Sequence, residues 1–309
     1  MKQNKTIILA LAVAQLSMAQ AFAADEAATY FSRDYGVKHA KGFAHTAKSD
    51  AFMKKVKHVS FKDDNTSVPK TYSIRGKAGP VEDQGQCGSC WDFSLTTVLR
   101  GTWIMAGKDP GRLSFNYLLN CATTMQGCNG GDFSAADFLI APKGAPAYGA
   151  DGAYTQADGT CQAKTAVAST VDYKMLGQEG SATVHAAFKD IAFVVGVLHK
   201  PVSIDIAASN AWEMYGGGVY NKCAKKSTVN DINHMVTIEG YDCETAVDAN
   251  GNCKFDKTGN LPAGVGTWLV RNSWGESWGD NGYITMKATD KNGNLCDQVA
   301  ADALYFDVQ

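Results

Sequence analysis

A cysteine attacks a carbonyl carbon efficiently only as its thiolate. The stretch Gln84-Gly85-Gln86-Cys87-Gly88-Ser89-Cys90-Trp91-Asp92-Phe93-Ser94 puts one where that form is favoured. Cys90 begins an apolar run that reads as a helix. A helix N-terminus offers unpaired N–H groups and a partial positive charge, both of which stabilise a thiolate. Such a nucleophile needs a base to move its proton and donors to hold the oxyanion that forms on attack. Beyond residues 24–68 three histidines remain: His185, His199 and His234. His185 falls inside a predicted helix and His199 at its end, whereas His234 precedes a strand. Taken singly, His234 reads as a core histidine, Asn272 as a turn residue and Gln84 as a surface amide. Cys87-x-x-Cys90 also has the spacing of a thioredoxin-like redox pair. Against that reading, Trp91 follows the second cysteine and no βαβ unit surrounds the pair.

Several ordered motifs decide between these readings. The Cys87-Gly88-Ser89-Cys90-Trp91 core resembles the nucleophile region of the papain and cathepsin family of cysteine proteases. The resemblance runs from about residue 80 to the C-terminus. Leu113-Ser114, Asn120-Cys121 and Gly127-Cys128-Asn129-Gly130-Gly131 resemble the family's next landmarks. Tyr215-Gly216-Gly217-Gly218-Val219-Tyr220 and Asn233-His234-Met235-Val236 look like the stretch that brings in the base. Asn272-Ser273-Trp274-Gly275, Trp278-Gly279 and Asn281-Gly282-Tyr283 look like the stretch with the third group.

This resemblance implies roles. Cys90 is the nucleophile, and His234, about 140 residues downstream, is base and then acid. Asn272 orients the imidazole. Gln84 donates its side-chain amide to the oxyanion alongside the Cys90 N–H. Trp274 packs over the Asn–His pair, and Gly130 and Gly131 line the cleft. Asp132, Phe133, Ile232 and Met235 border the pocket for the second residue on the acyl side. That set is mainly apolar, with Asp132 able to admit a basic side chain. The implied reaction is peptide hydrolysis through a thioester acyl-enzyme, without cofactor or metal. Nothing resembles the paired-histidine loop of dipeptide-releasing relatives, which favours an endopeptidase. The alternative from another class is a catalytically weak papain-like binding protein, motivated by Asp92 and by a long insertion.

The elements that must hold these residues are coarsely legible. Residues 90–104 and 183–198 have helical spacing. Residues 201–206, 234–238, 267–270 and 282–286 read as strands. A helix-rich half, about 81–175, thus precedes a strand-rich half, about 176–309. The expected class is α+β; by resemblance it is a papain-like fold with a helical left subdomain, a barrel-like right subdomain and the cleft between them.

The chain has 309 residues, 45% hydrophobic and 19% charged, with a net charge of -2. That length supports substantial cores, and the charge balance shows no footprint of a nucleic-acid binder. Met1, Lys2 and Lys5, the apolar run 6–14 and Ala21-Phe22-Ala23 read as an export signal over 1–23. Polar Gln15, Ser17 and Gln20 interrupt the run too early for a membrane anchor, so no membrane association is expected after its removal. The destination is periplasmic or extracellular, and the scarcity of glycosylation sequons points to bacterial export. Residues 24–68 carry no cysteine but three of the six histidines, His39, His45 and His58. They read as a pro-segment that inhibits the peptidase domain, 69–309, by occupying its cleft and loosens as pH falls. A monomer acting on protein or peptide substrates is expected.

Nine cysteines in an exported chain leave one thiol over. The resemblance pairs Cys87 with Cys128, Cys121 with Cys161 and Cys223 with Cys296, which leaves Cys243 with Cys253 and Cys90 free. Between His234 and Asn272 the chain is longer than in papain, and the excess reads as a disulfide-closed hairpin near the cleft rim. Asp248, Asp256 and Asp290 each begin an Asp-x-x-Gly-Asn pattern. Hairpin turns are the plain reading of these, and calcium loops the sharper one. Asp92 suits a helix N-terminus but threatens to raise the thiol pKa, unless its side chain points away.

Overall fold

The computed structural model describes residues 38–43, 46–177, 185–223 and 227–309; the export signal and His45 lie outside them. Strand β1 is His58–Val59, β2 Thr71–Ser73 and β3 Asp172–Leu176. Strand β4 is Val202–Ile206, β5 Val219–Tyr220, β6 His234–Asp242, β7 Thr267–Arg271, β8 Tyr283–Lys287 and β9 Ala303–Asp307. They form one sheet in the order β1-β3-β9-β4-β6-β7-β8-β5, with β2 paired to β6. Helices α1 (Ala47–Met53), α2 (Cys90–Met105), α3 (Phe115–Cys121), α4 (Phe188–Gly196) and α5 (Asn210–Glu213) pack around it. The chain is α+β, and helices α2 and α3 precede most of the strands, as the patterning implied.

Successive strand residues face opposite sides, and here the two sides serve different cores. Val236 and Ile238 of β6 join Ala303 and Tyr305 of β9, Ile191 and Val195 of α4, and Trp212 in one cluster. Met235 joins Leu304 and Phe306, Leu95 and Leu99 of α2, and Leu118 of α3 in the other. Ser94 fixes α2 to the sheet by donating to the Val236 carbonyl at 2.8 Å and bonding Ser203 Oγ at 2.7 Å. The first residue of α2 thereby lies beside the start of β6, where the Met235 N–H donates to Cys90 Sγ at 3.3 Å.

Two expectations change. The helix expected over 183–198 spans Phe188–Gly196, with residues 183 and 184 outside the described residues. Its start is set by capping: the Asp190 carboxylate accepts from the Ala187 N–H at 3.3 Å, and Asn260 Oδ1 accepts from the Phe188 N–H at 3.1 Å. Ala187 is therefore extended and His185 lies ahead of the helix. His199 lies beyond it at φ 56°. The insertion after β6 is not at the cleft rim. Cys253 N–H donates to the Val68 carbonyl and Cys243 N–H to the Lys70 carbonyl. This is the end of β6 opposite His234, about 25–30 Å away at roughly 3.3 Å per strand residue.

The three Asp-x-x-Gly-Asn segments are one turn used three times. In each, the aspartate Oδ1 accepts from the backbone N–H groups two and four residues on, at 2.8–3.0 Å. The glycines sit at φ near +80°, as a left-handed turn position demands. The turn itself occupies that oxygen, so the plain reading holds.

Asp205, on the face of β4 shared with Ser203, is wholly buried beside Asp302, whose N–H donates to it at 2.8 Å. Burial, then the adjacent Asp302, pushes its carboxyl well above the ordinary aspartate range. The native state thus keeps a proton that the unfolded chain releases. That contribution to stability is complete at low pH and is lost as pH rises through the raised native value. Between pH 4.5 and 7.5 the Tm of the native sequence should fall at least about 3 °C more than that of Asp205→Asn. Equal pH slopes in a thermal scan would refute this.

Candidate active site

Cys90 is the first residue of α2, and its Sγ is wholly buried. Ser89 precedes the helix without a side-chain cap bond, which leaves the helix N-terminus to the thiol. The loop before it is fixed by the Cys87–Cys128 bridge and by the Gly88 N–H donating to the Cys128 carbonyl at 2.9 Å. The other bridges are Cys121–Cys161, Cys223–Cys296 and Cys243–Cys253, and Cys90 is the free cysteine. A Cys87–Cys90 redox pair is excluded because Cys87 is already committed to Cys128.

Across from the thiol, His234 opens β6 and is also wholly buried. Its Nε2 lies 2.8 Å from Asn272 Oδ1. The Ser273 backbone N–H donates to the same oxygen at 2.8 Å, and a backbone N–H has only one role. The Asn272 amide is thereby oriented, Nε2 must carry the hydrogen, and Nδ1 is left as the basic nitrogen. Trp274 stacks on the imidazole at 4.8 Å, and Trp212 meets it edge-on at 5.8 Å. Gln84 Oε1 accepts from Ser273 Oγ at 2.6 Å, which turns Nε2 toward the cleft. There it donates to the Ala40 carbonyl at 3.1 Å and to the Cys87 carbonyl at 2.9 Å.

On the opposite wall, Gly131 lies against Trp91, where a Cβ would come within 2.6 Å of the indole. Phe133 and Met235 belong to the core on the α2 side, and Ile232 is buried just before β6. Asp132 is buried and also has a local structural role. Its Oδ1 accepts from the Ser134 N–H at 2.8 Å and Oγ at 2.6 Å, so this oxygen caps a turn. Asp92 is buried and accepts from Thr96 Oγ1 at 2.9 Å. Burial pushes its carboxyl well above the usual range, which removes the charge that threatened Cys90. No group of three or more potential metal ligands occurs among the described residues.

Residues 38–43 fill the cleft. The Gly42 N–H donates to Cys90 Sγ at 3.2 Å, the Gly131 N–H to the Gly42 carbonyl at 2.8 Å, and the Phe43 N–H to the Asn233 carbonyl at 3.1 Å. Phe43 meets Phe133 edge to face at 6.2 Å, and His39 stacks on Trp274 at 4.4 Å. Lys41 pairs with Glu213 of α5. Further along, β1 extends the sheet edge beside β3, and Phe61 stacks on Phe193 at 4.3 Å.

Burial sets the protonation of the covered site. Burial pushes the Cys90 thiol up to about 12, against the opposing donors Met235 N–H and Gly42 N–H. Burial, against the raising effect of the Asn272 hydrogen bond and with smaller help from the charges of Lys41 and His39, pushes His234 down to about 3. The covered site holds a thiol and a neutral imidazole. Sequence reasoning missed Lys41 and Glu213, which lie in no motif; their opposite charges become informative only once they are adjacent.

A family model described as "Papain family cysteine protease" matches residues 68–305. The oryzain gamma chain of Oryza sativa subsp. japonica is 33% identical over 237 residues, covering 75% of this chain and 58% of that protein. This chain therefore matches less than two thirds of that relative's length. The bromelain protease from Ananas comosus, solved with an inhibitor, is 28% identical at a TM-score of 0.57, over 78% of this chain and 100% of that one. The digestive procathepsin L2 proteinase of Tenebrio molitor larval midgut shares the fold at a TM-score of 0.67 and 24% identity, over 87% of this chain and 78% of that one.

Proposed function

Because the chain belongs to the papain family of cysteine proteases, we propose that it is an exported cysteine endopeptidase made as a zymogen, with residues 24–68 as its pro-segment. The observation that carries this reading is a single free thiol at a helix N-terminus, set between an oriented histidine–asparagine pair and an inward amide, under a strip of its own chain. Four disulfides favour an oxidising compartment.

With the cleft open, His234 Nδ1 takes the Cys90 proton, and the helix N-terminus holds the thiolate. Sulfur attacks the scissile carbonyl, and the oxyanion is held by Gln84 Nε2 and the Cys90 N–H. His234 then donates the proton to the leaving amine, which departs and leaves a thioester. Water, deprotonated by His234, hydrolyses the thioester and regenerates the thiol. Asn272 keeps the imidazole in register throughout.

The leaving amine must depart beside His234, so the leaving-group side of the cleft is the wall of Trp212 and Trp274. Gly131 and Phe133 then mark the acyl side. The pro-segment runs from Ala40 near Trp274 to Phe43 near Phe133, the reverse of a substrate, so no peptide bond is offered to Cys90 in the productive sense. An apolar preference on the acyl side follows from Phe43 against Phe133. The processed enzyme acts as a monomer on protein or peptide chains, with no cofactor.

The test is labelling of the processed protein with an epoxide inhibitor of papain-like enzymes, followed by mass spectrometry. An adduct at Cys90 supports the reading, and a folded sample that takes no label overturns it in favour of a binding protein. Gln84→Ala should lower kcat by about 10²–10³, with KM nearly unchanged, in initial-rate measurements. A loss below about threefold would remove Gln84 from the oxyanion site.

A further inference from the structure

The ion pair between Lys41 and Glu213 stands beside the nucleophile and is absorbed by no step above. Lys41 lies between Ala40, whose carbonyl accepts from Gln84 Nε2 at 3.1 Å and from Trp274 Nε1 at 3.3 Å, and Gly42, whose N–H donates to Cys90 Sγ. Its side chain therefore leaves the cleft strip within one residue of the sulfur, on the His234 side.

Glu213 is held there by construction. It ends α5, which is capped by Ser209 Oγ accepting from the Trp212 N–H at 3.3 Å. Its carbonyl accepts from Trp278 Nε1 at 2.9 Å. The preceding residue, Trp212, is fully buried and packs edge-on against both His234 and Trp274. The Glu213 carboxylate is thus a fixed negative charge on the same wall as the general acid. It retains 14% of its side-chain exposure even with Lys41 in place. When residues 38–43 depart, the cation goes and the carboxylate stays.

We propose that Glu213 is a specificity-determining residue that selects substrates with lysine or arginine immediately after the scissile bond. The inference rests on the peptidase reading above, because the side of the cleft is assigned from where His234 must deliver its proton. Lys41 serves as the internal stand-in for that substrate side chain, presented from a reversed chain and so not cut. A carboxylate in a partly enclosed groove discriminates strongly by sign: it attracts a cation and repels an acid.

The experiment uses the processed enzyme and internally quenched peptides that differ only in the residue after the scissile bond: Lys, Arg, Ala or Glu. The native sequence should favour Lys and Arg over Glu by at least about tenfold in kcat/KM, a ratio that shrinks as salt is raised. Glu213→Gln should bring the ratio within about threefold, Glu213→Asp should keep most of it, and Glu213→Lys should invert it. Each ratio is internal to one enzyme preparation, so a partly folded variant does not distort it. Equal treatment of the four peptides by the native sequence, or a full ratio in Glu213→Gln, overturns the proposal. An acyl-aminocoumarin substrate, which has no residue after the scissile bond, separates the two failures. Turnover of the coumarin substrate without peptide discrimination removes this proposal alone. Absence of turnover, with Cys90 unlabelled, removes the peptidase reading and this proposal with it.

Discussion

Cys90→Ala is expected to lower kcat/KM by roughly 10⁵–10⁶, because the residues that act with a nucleophile lose nearly all their effect once it is gone. In the proposed mechanism His234 then has no proton to take, Asn272 orients an idle base, and Gln84 faces an oxyanion that never forms. Truncation should not disturb the fold. The thiol makes no disulfide, and its N–H donors Met235 and Gly42 belong to the sheet end and to the leading segment. The check is turnover of a peptide substrate together with far-UV circular dichroism and Tm. Residual activity within tenfold of the native sequence, in a preparation free of it, would show that another group carries the chemistry.

The second large effect lies in the leading segment. Gly42→Val should raise the alkylation rate of Cys90 in the unprocessed chain by about 10². A Cβ on Gly42 would stand 1.7 Å from the Gly88 carbonyl oxygen and 2.2 Å from its carbon. Gly88 cannot yield, since its N–H is bonded to the Cys128 carbonyl and the neighbouring Cys87–Cys128 bridge fixes the loop. The strip must lift and forfeit three hydrogen bonds, from Gly42 to Cys90, Gly131 to Gly42 and Phe43 to Asn233. At about 1 kcal/mol each, their loss shifts the covered–open balance by about 3 kcal/mol, or about two orders of magnitude. Iodoacetamide kinetics in a His234→Ala background, which cannot process itself, measure this directly. A substituted chain as inert as its Gly42 parent would mean that these residues do not guard the thiol.

Much of the site was legible because its signals are local. Cys87-Gly88-Ser89-Cys90-Trp91 marks a candidate nucleophile at a helix start, and the helix from Cys90 follows from an apolar run. Strands β4, β6, β7 and β8 follow from short apolar and β-branched stretches. What stayed hidden depends on contacts between distant residues. The start of α4 is decided by Asn260, which lies in the insertion and caps Phe188. The placement of that insertion is decided by Val68 and Lys70. Asp132 reads as a recognition residue by position, and only its bonds to Ser134 show that one of its oxygens also caps a turn. Asp205 and Asp302 share no motif, yet the sheet brings them together. Residues 38–43 have no periodicity at all, since an extended strip in a groove takes its conformation from the groove.

The cover over Cys90 also bears on how the bridges form. Thiol–disulfide exchange requires an accessible thiolate, and its rate follows the thiolate fraction. Eight of the nine cysteines must find their partners while Cys90 stands three residues from Cys87, a nearer neighbour than Cys128. In the folded chain the Cys90 sulfur lies buried under residues 38–43 and burial holds its pKa at about 12, so it does not exchange with the bridge beside it. In a synthetic chemist's terms the leading segment acts as a protecting group: it masks the one thiol that could exchange with the neighbouring bridge.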